Sequence, residues 1–334
     1  MRLSVTSAMA GLWLLAPMGA AAQEAPAHPS PPRAEAVAPG VWLIQGLRTP
    51  GRQPDGNTVI WQAPEGLVVM DTGRHAWHQQ AIEDFAAGRH APVVAIVNSH
   101  WHLDHVSGNP VLKRDWPRAR VYASAAIDEA IGGFLARSAA DGRKHLDDRS
   151  LPPETIEDLR RDLATTEAAD KLKPDVTVRA SAGHVLGGRR LRLNLAKDAA
   201  TAGDVWVYDA KARVAAVGDL VTLPVPYLDT ACPKGWSAAL DQVWAGPFET
   251  VIPGHGRPMT RAQFDMYRQA FRAFVDCAAS ARPTADCGAD WARQVKPLLQ
   301  ANGMNVQRAG PYAAYYAGEV LRAHGGRSAS CKAA

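Results

Sequence analysis

The chain has 334 residues, 47% hydrophobic and 21% charged, with a formal net charge of +4. Such a length and composition exclude a disordered or low-complexity chain and suit one large globular domain or two small ones. The charge is spread along the sequence rather than gathered in runs, which argues against a nucleic-acid or anionic-membrane partner.

Residues 1–22 read as a secretory signal peptide. Arg2 supplies a short positive region, Leu12-Trp13-Leu14-Leu15 an apolar centre, and Ala20-Ala21-Ala22 an A-x-A site, so cleavage is expected before Gln23. The apolar centre is short and interrupted by Pro17 and Gly19, which disfavours a stable membrane anchor. A periplasmic or secreted location is oxidising, and cysteines pair there. Cys232, Cys277, Cys287 and Cys331 allow three pairings. Cys277 with Cys287 is favoured, because the two bracket a short Pro-containing turn between helical patterns. None shows the C-x-x-C spacing of a zinc or redox pair.

Residues 23–40 are rich in Ala and Pro and read as an extended linker, with His28 idle inside it. From Val41 the pattern turns β. Strands are expected over 41–45, 57–62 and 67–73, the last two forming a hairpin through Pro64-Glu65-Gly66. Residues 75–87 read as a helix, with Ala81, Ile82 and Phe85 at helical spacing and His75 and His78 expected at its surface. The apolar, β-branched run Pro92–Asn98 reads as a buried strand. A short helix over 110–116 and a strand over 120–123 follow. Residues 124–175 form a polar helical insert, in which Pro152–Leu163 carries Pro and Glu at first-turn positions and His145 is solvated. Strands return at 176–179, 190–195, 204–208 and 214–221. A long helix over 259–279 closes this region, and an extension over 280–334 adds helices near 290–301 and 311–323. Periodicity alone gives an α/β chain with mixed sheets.

The chemistry concentrates just after the strand 92–98. There Asn98-Ser99-His100-Trp101-His102-Leu103-Asp104-His105 offers four nitrogen and oxygen ligands of the kinds zinc prefers. The loop leaves the C-terminal end of a strand, where open α/β sheets bind their ligands. A single histidine on such a loop would be a solvated side chain. Four potential ligands at H-x-H-x-D-H spacing can converge on one or two ions.

This loop resembles the signature of the metallo-β-lactamase superfamily, a name that covers a fold and a metal site rather than one reaction. The resemblance implies a four-layer αββα sandwich over residues 41–279, with the 124–175 insert beside the site. It implies that Asp71, in Asp71-Thr72-Gly73, supports the metal loop from behind. Asp219 would be a carboxylate able to bridge two ions, and His255, in Gly254-His255-Gly256, a further ligand. It also implies a histidine in an H-T-x-G-D segment, where this chain has Ala200-Thr201-Ala202-Gly203-Asp204. Alanine has no side-chain ligand atom. The first ion position thus keeps His100 and His102. The second keeps Asp104, His105 and His255 with Asp219 available, enough for a catalytic zinc with an open position.

Three readings stay open. One zinc in the second position is favoured. Two ions would require a substitute ligand, Asp198 or more weakly His184. A degenerate site would make the chain a non-catalytic metal-binding protein. Iron or manganese could use similar ligands. The function expected is an exported zinc-dependent hydrolase acting on a small-molecule substrate. Metal-activated water would cleave an ester, thioester, lactone or amide, with Asp104 orienting the water or shuttling its proton. A β-lactam is the alternative substrate.

Overall fold

The computed structural model describes residues 29–331. The expected signal peptide and His28 lie outside the described residues. Two sheets form the centre. The first has seven strands in chain order: β1 (Ala34–Ala38), β2 (Val41–Ile44), β3 (Thr58–Ala63), β4 (Gly66–Met70), β5 (Val93–Val97), β6 (Arg120–Ala123) and β7 (Val176–Thr177). Pairing is antiparallel from β1 to β4 and parallel from β4 to β7. The second sheet contains β8 (Ala182–Leu186), β9 (Arg189–Lys197), β10 (Gly203–Asp209), β11 (Val214–Gly218), β12 (Thr250–Pro253) and β13 (Met259–Thr260), again in chain order. Only its β11–β12 pair is parallel.

The alternation of side chains along each strand explains the layering. In β3, Val59 and Trp61 point into the core between the sheets, while Ile60 points the other way. In β5, Ala95 and Val97 face that inner core and Val93 and Ile96 face out. The outer face of the first sheet packs on α1 (Ala76–Arg89) and, beyond the short α2 (Leu103–Val106), on α3 (Asn109–Asp115), through Ile82 and Leu112. In β11, Val214 and Ala216 face inward, and Ala215 and Val217 face helices α7 (Pro233–Trp244), α8 (Arg261–Ala279) and α9 (Thr284–Ala301). Trp236, Phe271 and Trp291 fill that outer layer and are fully buried. The result is the αββα sandwich expected from the sequence. Among the described residues, no helix is long and apolar enough to cross a membrane.

Several details differ from expectation. Ala34–Ala38, placed in the linker, is an edge strand antiparallel to β2. Its residues have weak strand preference, and tertiary pairing decides the outcome. Helix α7 is an added element. The insert contains α4 (Ala126–Ala130) and α5 (Ala136–Lys144), joined by a π turn, and α6 (Pro153–Glu167), followed by a 3-10 turn. It lies against the metal-loop side of the fold: Ile127, Leu135 and Leu172 pack on Trp101 and Val106.

His75 and His78 are not surface residues. Both are fully buried. His75 sits between two carboxylates, Nδ1 3.0 Å from Asp55 and Nε2 3.2 Å from Asp158 of α6. Asp55 also accepts the backbone N–H groups of Arg74 and His75, capping α1 from a neighbouring loop. His78 Nε2 bonds Thr58 at 2.8 Å.

Both disulfides, Cys277–Cys287 and Cys232–Cys331, are formed. The second ties the C-terminal extension, with α10 (Val306–Tyr315), to the loop after β11.

Candidate metal centre

The two sheets each contain one parallel strand pair next to the site. Parallel neighbours end on the same edge, so the segments leaving β4 and β5 in one sheet and β11 and β12 in the other converge. These four strand ends carry Asp71, the His100–His105 loop, Asp219 and His255. Two residue groups bring ligand atoms within 4.8 Å of one another: His100, His105 and Asp219, and Asp104, His105 and His255. His105 Nε2 lies 3.3 Å from Asp219 and 3.6 Å from Asp104, and His255 Nε2 lies 3.1 Å from Asp104 and 3.6 Å from Asp219. His100 Nε2 lies 3.7 Å from Asp219. His100, Asp104, His105, Asp219 and His255 are all buried, as is Asp71 behind them.

Close packing fixes this geometry. A Cβ on Gly254 would sit 1.9 Å from the Asp219 carboxylate, so only glycine admits the approach of the His255 turn to Asp219. Gly256 adopts φ +105, a backbone conformation that L side chains rarely adopt.

Ring orientation is set from behind. Asp71 accepts from the Ser99 backbone N–H at 2.7 Å, from Ser99 Oγ at 2.7 Å and from His105 Nδ1 at 2.8 Å. A carboxylate only accepts, so His105 carries its proton on Nδ1 and presents a lone pair at Nε2. The Ser99 hydroxyl proton is likewise committed to Asp71. Ser99 Oγ, 2.8 Å from His100 Nδ1, therefore accepts from that ring, and His100 also presents Nε2. His100 Nε2, His105 Nε2 and Asp219 Oδ1 are buried without a hydrogen-bond partner among the described residues. Buried polar atoms are ordinarily satisfied. Three such atoms facing one another, as imidazole nitrogens and a carboxylate, fit a divalent cation.

The charges are consistent with that fit. Burial disfavours ionisation of Asp104, yet His105, His255 and Arg74 hold it well below the usual carboxylate range. Asp219 is held far down against burial by His105 and His255. Burial likewise opposes a charged His105, but Asp219, Asp104 and Asp71 draw it well above the usual imidazole value, so a cation held there takes the place of a proton on Nε2. Burial pushes His100 well down and His102 to about 4.

Asp198 is exposed on the turn after β9 and belongs to neither ligand group. His184 lies on β8, its ring against Tyr122. Neither is brought to the site, and among the described residues His102 also lies outside both converging ligand groups. Residues not anticipated from the sequence are Ser99, Arg74 and Arg48. Arg74 Nη2 is 3.8 Å from Asp104 while its other amino group pairs with Asp162 of the insert. Arg48 bonds the Leu223 carbonyl, and both Asp219 and Asp104 act on its charge. Ser99 lies inside the recognised loop and could have been weighed with its neighbours. The arginines carry no local signal.

The model of the metallo-beta-lactamase superfamily matches residues 52–255, and the chain belongs to that superfamily, whose members are hydrolases and typically metal-dependent. Over 216 residues it is 24% identical to a linear primary-alkylsulfatase of Pseudomonas sp. (strain ATCC 19151), covering 60% of this chain and 41% of the relative. The chain thus spans less than half of that curated relative. Among solved structures, a metallo-beta-lactamase from Pontibacter korlensis superposes with TM-score 0.52 at 19% identity, over 72% of this chain and 98% of the other. A stereoselective inverting sec-alkylsulfatase from Pseudomonas sp. gives TM-score 0.58 at 19% identity, over 85% and 50% respectively. At these identities the structural likenesses carry the fold alone.

Proposed function

We propose that this chain is an exported zinc-dependent hydrolase. The observation that carries the reading is the convergence of unpartnered His100 Nε2, His105 Nε2 and Asp219 Oδ1 beside Asp104 and His255. Asp104, His105, His255 and Asp219 would hold the more tightly bound ion. A bound zinc supplies a nucleophile from water near neutral pH and Lewis-acid polarisation of the scissile group. The chain's own residues do the rest. Asp104, ionised beside Arg74, orients the attacking water or shuttles its proton. Asp71 and Ser99 keep the two rings aimed inward. The candidate substrates are small molecules with an ester, thioester, lactone or amide bond, and the likeness to an alkylsulfatase adds sulfate esters. The A-x-A site before Gln23 and four paired cysteines support export.

The test is a hydrolase panel of esters, thioesters, lactones, sulfate esters and β-lactams, run on the zinc-loaded mature chain. His255→Ala and Asp104→Ala are expected to abolish whichever activity is found. Hydrolysis that both variants leave intact would sink the proposal.

A further inference from the structure

Ala200 removes a ligand from the first ion position, yet the position keeps an unusual support. Thr230 Oγ1 lies 2.9 Å from the Ala200 carbonyl oxygen and 3.0 Å from His102 Nε2. A hydroxyl has one proton to give. Ala200 is buried, and among the described residues only Thr230 donates to its carbonyl, so the Thr230 proton is committed there. Toward His102 the hydroxyl can then only accept. His102 therefore carries its proton on Nε2 and its lone pair on Nδ1, the reverse of His100 and His105.

The loop that carries Thr230 is held firmly. Cys232 N–H bonds the Ala199 carbonyl at 2.8 Å, Cys232 is disulfide-bonded to Cys331, and Tyr316 donates to Asp229 at 3.0 Å. The C-terminal extension thus reaches the site through this loop.

We infer that Thr230 is a positioning residue that locks His102 in the Nε2–H form. It thereby keeps the His102 lone pair on Nδ1 and the first ion position usable as a weaker second site on His100, His102 and Asp219 despite Ala200, although His102 lies outside the two ligand groups that already converge. The inference rests on the metal reading above. Three protein ligands suffice for a zinc with an open coordination position. The carbonyl of the very residue that lacks the ligand anchors the threonine, so the missing imidazole is answered by an ordered neighbouring one.

The experiment combines two readouts on the full mature chain. The His102 tautomer is read in the metal-free protein from long-range nitrogen–proton correlations of the imidazole ring. Zinc is then titrated against a chromophoric chelator. Wild type is expected to show the Nε2–H form and two binding phases. Thr230→Val should lose the single tautomer and weaken the second phase about tenfold, the lower end of the usual cost of losing such a support. It should leave the tight phase within about twofold, and Thr230→Ser should restore both readouts. An unchanged tautomer in Thr230→Val, a second phase it does not touch, or a tight phase with no second phase in wild type would each overturn the inference. Absence of the tight phase as well would overturn the metal reading itself.

Discussion

Asp71→Asn is the substitution that isolates the support of the metal loop. Asp71 has φ 63°, a conformation asparagine tolerates better than alanine, so the change reports on the carboxylate rather than the backbone. The carboxylate accepts three bonds, one on Oδ1 from the Ser99 N–H and two on Oδ2 from Ser99 Oγ and His105 Nδ1. Asparagine keeps one oxygen. If that oxygen stays with the Ser99 N–H, the new amide NH2 faces two donors. If it turns to Ser99 Oγ and His105, the NH2 faces the Ser99 N–H. Either way at least one bond to a charged acceptor is lost, about 1.5–3 kcal/mol, and a donor is left facing a donor. Metal-free Asp71→Asn is therefore expected to lose about 2–3 kcal/mol of unfolding free energy in urea. Because His105 is no longer held, zinc affinity by chelator competition should fall 10- to 100-fold. Affinity within about threefold of wild type, with unchanged stability, would refute the claim that Asp71 orients the ligands.

The clamp between α1 and the insert should be pH-dependent. Burial opposes a charged His75, but Asp158 and Asp55 raise it above its ordinary 6.5. Its contribution is therefore fully present below about pH 6.5 and lost as pH rises through the higher folded value. The stability gap between wild type and His75→Gln should be largest near pH 5–6 and narrow toward pH 9. A gap that widens with pH would contradict the pairing. The two disulfides should rank by the chain they close. Cys232–Cys331 spans 99 residues and Cys277–Cys287 spans 10. Loop-closure entropy assigns them about 4.7 and about 2.7 kcal/mol respectively. Denaturant unfolding of the paired Cys→Ser variants should follow that order, and the reverse order would count against it.

Much of the sandwich was legible because strand and helix periods are local. The ligand loop was legible because four potential ligands fall within six residues, a density that composition alone rarely produces. Asp219 and His255 are single residues on ordinary-looking turns. Only the family resemblance singled them out, and tertiary structure brings them to His105. His75 and His78 show where periodicity stops. Spacing says which residues share a helix face, not what that face meets, and here it meets Asp55 and Asp158 from distant segments. Helix α7 did carry a local signal, with Trp236, Ala239, Leu240 and Val243 at helical spacing and all buried. Thr230 and Arg74 had none, since their roles depend on partners far away in sequence.

The most direct test of the central claim is the metal content of the mature protein, purified without chelator and measured by elemental analysis against protein concentration. The account predicts about one tightly held zinc per chain, lost in His105→Ala. A wild-type chain that holds no metal even after zinc is supplied would contradict it.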